Sequence, residues 1–466
     1  MTDRPVDRLA TESVGMQVLR LGLPQAVGLS SHALVNVVDL WLVGMLGPLA
    51  VAAAHVASTI NFIPMVVGNG FSVATLALLS QRLGGGDRQG ARRLSNRSQW
   101  LMLRLGLVIS IVSALLAPLC VDTVGLRGGA RSDAIQYLVV SNLGCIAMFA
   151  LMQTTTSMRA LGEVAMPLVL LLGANLLNLL LDIVLLFGWS AAGIPALGVV
   201  GAAYASVASR LVAAVVSYWW LRRKGKVLRL RWLERRFEKP MPLFLPLMGM
   251  ALPQVGQVLL RALLIWMLTI CVQRLAGEAG VAALGVATRL DTMVLFAGIG
   301  FASAATTITG RACARGDARR ARAAGLAAAL QALAVGGAMV FALWMFAEPV
   351  ARAFLPKAEG PVVGMIVLYL GTGAWSQPVM AFALGAIGAV QGAGRMWAPL
   401  WLDLAAFALV FMLLALGVWL AVGLFTQFLL LLAGSFFVAG IHAAHLWFGP
   451  WAAAPRAPDA PESLPV

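Results

Sequence analysis

LGLPQ at Leu21–Gln25 lies near the start of the first long apolar segment, and MALPQ at Met250–Gln254 lies near the start of the seventh. A second pair follows at similar spacing, with VAAAHVA at Val51–Ala57 and VAALGVA at Val281–Ala287. Repetition at a long, fixed period indicates an architecture of duplicated units. The chain is therefore predicted to consist of two related halves.

Two polar connections repeat as well. GGGDRQGARR at Gly84–Arg93 aligns with ARGDARRARA at Ala314–Ala323, and RALGEVAMP at Arg159–Pro167 aligns with QGAGRMWAP at Gln391–Pro399. Because segments and connections recur in the same order, the duplication extends over nearly the whole sequence.

The composition requires a membrane. Of 466 residues, 61% are hydrophobic and 11% are charged, with a mean hydropathy of +0.89, which is more apolar surface than one soluble core can bury. A helix needs roughly 20 apolar residues to cross a bilayer, and helices satisfy their own backbone groups in lipid. Hydropathy predicts spans at 18–46, 50–80, 101–121, 136–159, 166–188, 196–221, 244–272, 281–310, 324–347, 362–391, 397–420 and 425–448.

The predicted fold is an all-α polytopic membrane protein with twelve transmembrane helices in two pseudo-symmetric six-helix bundles. An even number of helices in each half returns the chain to the same side, so the halves should be related by an axis along the membrane normal. The predicted domains are an N-terminal cytoplasmic segment 1–17, an N-lobe 18–221, a basic linker 222–243, a C-lobe 244–448 and a disordered tail 449–466.

Basic residues set the expected orientation. The net charge of +15 comes from Arg and Lys between the apolar segments, which favours a topology signal over nucleic-acid binding. They concentrate after the second and eighth spans and in the linker. Both termini are therefore predicted to be cytoplasmic, in a multi-pass protein of the inner (plasma) membrane.

No enzyme signature accompanies these segments. The sequence has no phosphate-binding loop, acid-rich metal motif or nucleophile motif, and its four cysteines lack metal-ligand spacing. We therefore expect no catalytic residue, no metal and no cofactor. An intramembrane enzyme remains a less favoured alternative.

Six segments in order resemble the multidrug and toxic compound extrusion (MATE) family, and the N-terminal half is most similar to its DinF-like prokaryotic branch. They are VVDLWLVGMLGPLAVAAAHVA at 37–57, LLSQRLGGGDRQGAR at 78–92, NLLNLLLDIVLLFG at 175–188, GVVGAAYASVASR at 198–210, VAALGVATRLD at 281–291 and GAVQGAGRMWAP at 388–399. The resemblance implies a V-shaped transporter that exports amphipathic compounds, cationic ones included, in exchange for H⁺ or Na⁺. A flippase for lipid-linked glycans, which shares the wider architecture, is the alternative.

Two aspartates within predicted spans carry the coupling hypothesis. An acid in the membrane centre costs roughly 2.5 to 3.5 kcal/mol, so it is a candidate functional residue. Asp39 and Asp182 match the acids of the family's N-lobe, and Asn178 lies one turn before Asp182. Burial disfavours the charged carboxylate, and two facing acids titrate as a pair. Interhelical hydrogen bonding for packing alone is the competing interpretation.

Further residues extend this hypothesis. Asn175, Ser206 and His32 form a possible network around the acids, although polar residues also hold helices together. His32 is a possible proton relay because it titrates near neutral pH. Pro24 removes a helical hydrogen bond and marks the expected bend of the first helix.

The C-terminal half differs, because no acid occupies the position of Asp39. Arg261 stands where the family's NorM-like branch has a carboxylate, and should face a cavity or an acid such as Asp291 or Asp403. His442 and His445 resemble an interfacial pair. Candidate cavity residues are Arg261, Asp291, Gln254, Met152 and Gln153. Expected partners are a small-molecule substrate and the lipid bilayer, with the protein a monomer.

Overall fold

The structure is a computed structural model that describes residues 12–124, 128–224, 241–354 and 360–452. The predicted N-terminal segment up to residue 11, most of the basic linker and the tail from residue 453 lie outside these ranges.

Within the described residues, twelve helices are long and apolar enough to cross a membrane, as predicted. They are α1 Val14–Gly44, α2 Ala53–Gly84, α3 Arg88–Thr123, α4 Arg131–Ala160, α5 Ala165–Phe187, α6 Val199–Arg223, α7 Leu243–Gly277, α8 Ala279–Ala314, α9 Ala318–Met345, α10 Gly360–Gly392, α11 Trp397–Trp419 and α12 Leu424–Phe448. A short helix, Ala347–Phe354, lies between α9 and α10.

Two of the twelve helices are broken, and they are the fourth of each half. Leu143 ends the first part of α4, and Cys145 begins the second. In α10 the chain passes through a 3₁₀ turn, Gly373–Trp375. The breaks occupy equivalent places in the two repeats.

The residues between the predicted spans 244–272 and 281–310 are almost entirely helical. Helical structure runs from Met241 to Ala314 and changes direction at Gly277, whose φ of 64° and ψ of −156° lie outside the helical region. Glycine adopts positive φ without a steric cost. A single glycine therefore separates α7 from α8.

The repeated connections adopt the same backbone conformation in both halves. Gly86 and Gly316 have φ of 82° and 73°, and each is followed by an aspartate whose carboxylate accepts a backbone N–H of the next helix. Gly162 and Gly394 have φ of 83° and 81°. Left-handed glycine is a common end of a helix and aspartate a favoured start of the next. Of the arginines that the sequence placed in these loops, Arg82 and Arg311 lie in the last turns of α2 and α8, and most of the others lie in the N-terminal turns of α3 and α9.

The chain divides into two compact units. The N-unit is Ser31–Leu79 with Asp87–Ala251, and the C-unit is Met1–Ser30, Ser80–Gly86 and Leu252–Val466. The start of α1 thus belongs to the C-unit, whereas the predicted N-lobe included it. The lobe boundaries at 18–221 and 244–448 stay a prediction.

Small residues allow close helix packing in the C-unit. A Cβ on Gly300 of α8 would lie 2.4 Å from the backbone nitrogen of Ala26 in α1. The Ser30 hydroxyl donates to the Met293 carbonyl at 2.8 Å. Gly388 of α10 meets α8 equally closely, and its carbonyl accepts from Thr306 at 2.8 Å. Such contacts hold helices together in lipid, where apolar surface gives little driving force.

Gly388→Ala should lower thermal stability, because the added Cβ would lie 2.3 Å from the Ala302 carbonyl oxygen. Overpacking of this kind costs about 1–3 kcal/mol. Gly440→Ala is the matched control, since a Cβ on Gly440 would meet no atom within 4 Å. Thermal unfolding of both purified variants tests the contact, and equal midpoints would show that α8 and α10 are not packed this closely.

Candidate functional site

Two aspartates of the N-unit face each other. Asp39 lies five residues before the end of α1 at Gly44, and Asp182 lies five residues before the end of α5 at Phe187. Their carboxyl groups interact directly. Asp182 is 1% exposed, and Asp39 is partly buried.

This pair lacks hydrogen-bond donors. Within the described part of the chain, Asp39 Oδ1 and both carboxyl oxygens of Asp182 are buried without a partner. Buried polar atoms are almost always hydrogen-bonded, and two carboxylates in contact repel each other. A proton shared by the pair, or a bound cation, would remove both penalties.

A second contact joins the same two helices two turns away. His32 Nδ1 lies 3.1 Å from Asn175 Oδ1, with His32 on α1 and Asn175 on α5. His32 precedes Asp39 by seven residues, and Asn175 precedes Asp182 by seven. Equal spacing along two helices means that they run parallel and in register over about 10 Å. The acid pair is thus held by a fixed helix–helix alignment.

Asn178 and Ser206 connect α5 to α6. The Asn178 amide donates to the Ser206 hydroxyl at 3.5 Å, and Asn178 lies between the levels of Asn175 and Asp182. The structure therefore brings together the three predicted coupling residues and the three predicted network residues. Their functional roles stay predictions.

Two residues of this cluster were missed in the sequence. The Arg210 guanidinium on α6 interacts electrostatically with Asp39 and His32, and the Tyr137 hydroxyl on α4 interacts with both aspartates. Arg210 had a usable signal, because it is a charged residue within a predicted span. Tyr137 had none, since tyrosine is ordinary in helices near the membrane surface.

The predicted bend residue lies inside an uninterrupted helix. Pro24 is half-buried, and α1 continues through it from Val14 to Gly44. The Gln25 side chain donates to the Leu21 carbonyl at 2.8 Å beside it.

Arg261 interacts with Asp403 and not with Asp291. Asp403 is fully buried and binds His442 at 2.8 Å and the Gln257 amide at 2.9 Å. Gln391 donates to Gln257 at 3.0 Å and to Gln254. Gln254 is thus the last member of a hydrogen-bonded network of side chains that connects α7, α10, α11 and α12.

The expected interfacial position of His442 is wrong. Its side chain is 2% exposed and points to Asp403. Spacing alone could not reveal this, because it does not show which face of α12 turns inward.

Asp291 lies beside a small cavity in the C-unit. It is 6% exposed and accepts hydrogen bonds from the Tyr369 hydroxyl and, at 3.2 Å, from the Gln377 amide. The cavity measures about 60 Å³, and Thr288 and Thr292 also line it. This space is enough for about two waters.

The other two cavity candidates contact neighbouring helices. Gln153 is fully buried and donates to the Ser98 hydroxyl at 2.7 Å, which joins α4 to α3. Met152 packs against Gly68 of α2. Within the described residues, no cluster of three or more His, Cys, Asp or Glu side chains could hold a metal ion.

Asp403→Ala should destabilise the protein strongly, because it leaves His442 and Gln257 buried without their acceptor. Leaving a buried donor without its acceptor costs about 1–3 kcal/mol for each group. Asp122→Ala removes an exposed pair with Arg131, at 2.6 Å, and should leave the unfolding midpoint almost unchanged. Similar midpoints for the two variants would contradict the buried network.

Curated relatives span most of the chain. "Probable multidrug resistance protein NorM" of Rhizobium meliloti is 26% identical over 330 residues, which is 70% of this chain and 69% of that protein. The protein of the same name from Bradyrhizobium diazoefficiens is 27% identical over 365 residues, covering 76% and 75%.

Solved structures share the fold. A MOP superfamily transporter from Pyrococcus furiosus superposes with a TM-score of 0.87 over 96% of this chain and 98% of that chain, at 23% identity. The predicted fold class, including its twelve helices, is therefore confirmed.

The family model matches the chain twice, once in each half. MatE matches residues 24–184 and residues 253–416, more than half of the sequence, and each match begins at or next to the proline of a repeated Leu-Pro-Gln segment. These matches confirm the family resemblance inferred from the six sequence segments, and they exclude an enzyme in favour of a transporter. The chain is a multi-pass membrane protein that belongs to the MatE family of transporters.

Proposed function

We propose that this chain is a secondary active efflux antiporter that exports amphipathic compounds, cationic ones included, in exchange for H⁺ or Na⁺. The donor-free contact of Asp39 with Asp182 carries the proposal. Alternating access would present the pair first to one side of the membrane and then to the other. Family membership supports transport, and relatives named as multidrug resistance or multidrug export proteins support drug efflux.

Charge distribution supports the proposed orientation. The arginines between α2 and α3 lie at the end where these two helices are joined, and the arginines between α8 and α9 lie at the end where those two helices are joined. Such residues favour the cytoplasm. We place both termini on that side of the inner membrane and treat the protein as a monomer of the DinF-like branch.

The coupling step follows from the missing donor. A proton added to either aspartate gives one O–H group that donates to the other carboxyl, so the pair is satisfied and carries one negative charge less. Loss of that proton restores repulsion between α1 and α5. The His32–Asn175 contact, two turns away, holds the register while the pair changes, so the change falls on the packing of the end of α1.

Asp39→Asn should fold yet lose coupled export, because an amide cannot exchange a proton. The assay is dissipation of a pH gradient in inside-out vesicles after ethidium is added, at zero and at high Na⁺. We expect signal from wild type and only the level of empty vesicles from the variant. Asp122→Asn, which changes an exposed acid on α3 far along the chain from the pair, is the control. Wild-type flux in Asp39→Asn at equal expression would disprove the assigned role.

Asp182→Asn and the double variant should lose as much export as Asp39→Asn alone. Residues that act as one titrating pair are strongly non-additive. The same vesicle assay measures all three. A double variant with much less residual activity than either single variant would mean that the aspartates work independently.

Asp39→Asn should also raise thermal stability at alkaline pH. The amide supplies the donor that the pair lacks once its proton has been lost, and an unsatisfied buried group costs about 1–3 kcal/mol. At acidic pH the wild-type pair holds a proton and the advantage should disappear. Unfolding midpoints measured across pH test this, and a variant less stable than wild type at every pH would contradict the donor-free pair.

A further inference from the structure

Arg210 is a charged residue at the centre of its helix. It is residue 12 of the 25 in α6, so the bilayer midplane lies close to it. A guanidinium at this depth is costly, and such residues face a partner or a water-filled space. Its side chain is partly exposed.

The helix register places Arg210 level with the His32–Asn175 contact, two turns along α5 from the acid pair. The Asn178–Ser206 hydrogen bond fixes the level of α6 against α5, and these helices run in opposite directions. One turn further along α6 from Ser206 is Arg210, on the same face. One turn back along α5 from Asn178 is Asn175, which contacts His32 at 3.1 Å.

The electrostatic contacts agree with this register. Arg210 interacts with His32 and Asp39 of α1, with Tyr137 in the first part of α4 and with Cys145 at the start of its second part. Around Arg210 and the pair, the titratable side chains are therefore His32, Tyr137 and Cys145. Within the described residues, Arg210 makes no hydrogen bond and no contact ion pair. Its charge is therefore balanced at longer range, by Asp39.

We propose that Arg210 is the resident counter-charge of the Asp39–Asp182 pair and makes the pair select a proton over Na⁺. The inference rests on the proposed coupling role of the two aspartates and names their coupling ion.

The selection follows from how the two ions bind. With Arg210 the fully ionised cluster carries a net charge of −1, which one proton neutralises. A proton forms a covalent O–H bond and supplies the missing donor, so its binding tolerates a nearby positive charge. Na⁺ gains almost entirely electrostatic energy from the two carboxylates, and the guanidinium of Arg210, acting at longer range, opposes that gain. The same repulsion thus allows a bound proton to be released again and makes Na⁺ binding weak.

Na⁺ binding can be measured without knowing the cargo. Purified full-length protein is unfolded by heat in equal concentrations of NaCl and choline chloride, because a bound ion raises the unfolding midpoint. Wild type should show no stabilisation specific to Na⁺. Arg210→Gln should show it, with an apparent Na⁺ affinity at least about tenfold tighter than wild type. Adding Asp39→Asn to that variant should abolish it.

Two further variants isolate the charge at this position. Arg210→Lys retains the charge and should behave like wild type. Arg104→Gln removes an exposed arginine of α3 that does not contact the pair, and should also behave like wild type. Arg210→Met, which is long and uncharged, repeats the test if Arg210→Gln does not fold.

Several results would overturn the inference. These are Na⁺-specific stabilisation of wild type, its absence in both uncharged variants of Arg210, or its presence in Arg210→Lys or Arg104→Gln. In the vesicle assay, the pH dependence of export by Arg210→Gln should shift upward by about one pH unit, which corresponds to the same tenfold change in affinity. An unchanged pH dependence would count against the inference. Wild-type export coupled to Na⁺ instead of H⁺ would also overturn the inference. Absence of export coupled to either ion would instead disprove the proposed function, while the Na⁺ measurements stand independently.

Discussion

A charged group inside a membrane helix has to be neutralised, hydrogen-bonded or exposed to water, and this constraint organises the whole protein. The hydrocarbon of the bilayer supplies no counter-charge, no hydrogen-bond partner and no water. The cost is met differently in the two units, and the difference separates a structural network from a candidate coupling site.

In the C-unit the buried aspartates Asp291 and Asp403 have partners. Asp403 binds His442 and Gln257, while Asp291 binds Tyr369 and Gln377. A satisfied network of this kind fixes helices in place and gains nothing from taking up another ion. Arg261, which interacts with Asp403, leaves a buried donor, Nε, without an acceptor within the described residues.

In the N-unit the two aspartates lack such hydrogen-bond partners. Asp39 and Asp182 contact each other without a donor, and Arg210 acts on Asp39 at longer range. The site therefore lacks one hydrogen-bond donor and one positive charge, and a bound proton provides both. Duplication produced two six-helix halves, but it is the asymmetry between them that gives the protein a single candidate coupling pair. Helix α1 is central because its first part packs on α8, whereas its second part carries His32 and Asp39.

The sequence by itself determined the membrane class, the twelve helices and the duplication, because apolar length and repeated Gly-Asp and Leu-Pro-Gln segments are local signals. It also selected Asp39 and Asp182, since an acid in an apolar segment stands out in any sequence. Only the tertiary structure decided the partners: which helix face turns inward and which helices lie in register. Hence His442 was taken for an interfacial residue until its contact with Asp403 was known. Arg210 was missed until the seven-residue alignment of α1 with α5 and the Asn178–Ser206 contact placed it. Partner choice depends on contacts between distant segments, for which a single sequence contains no direct physical signal.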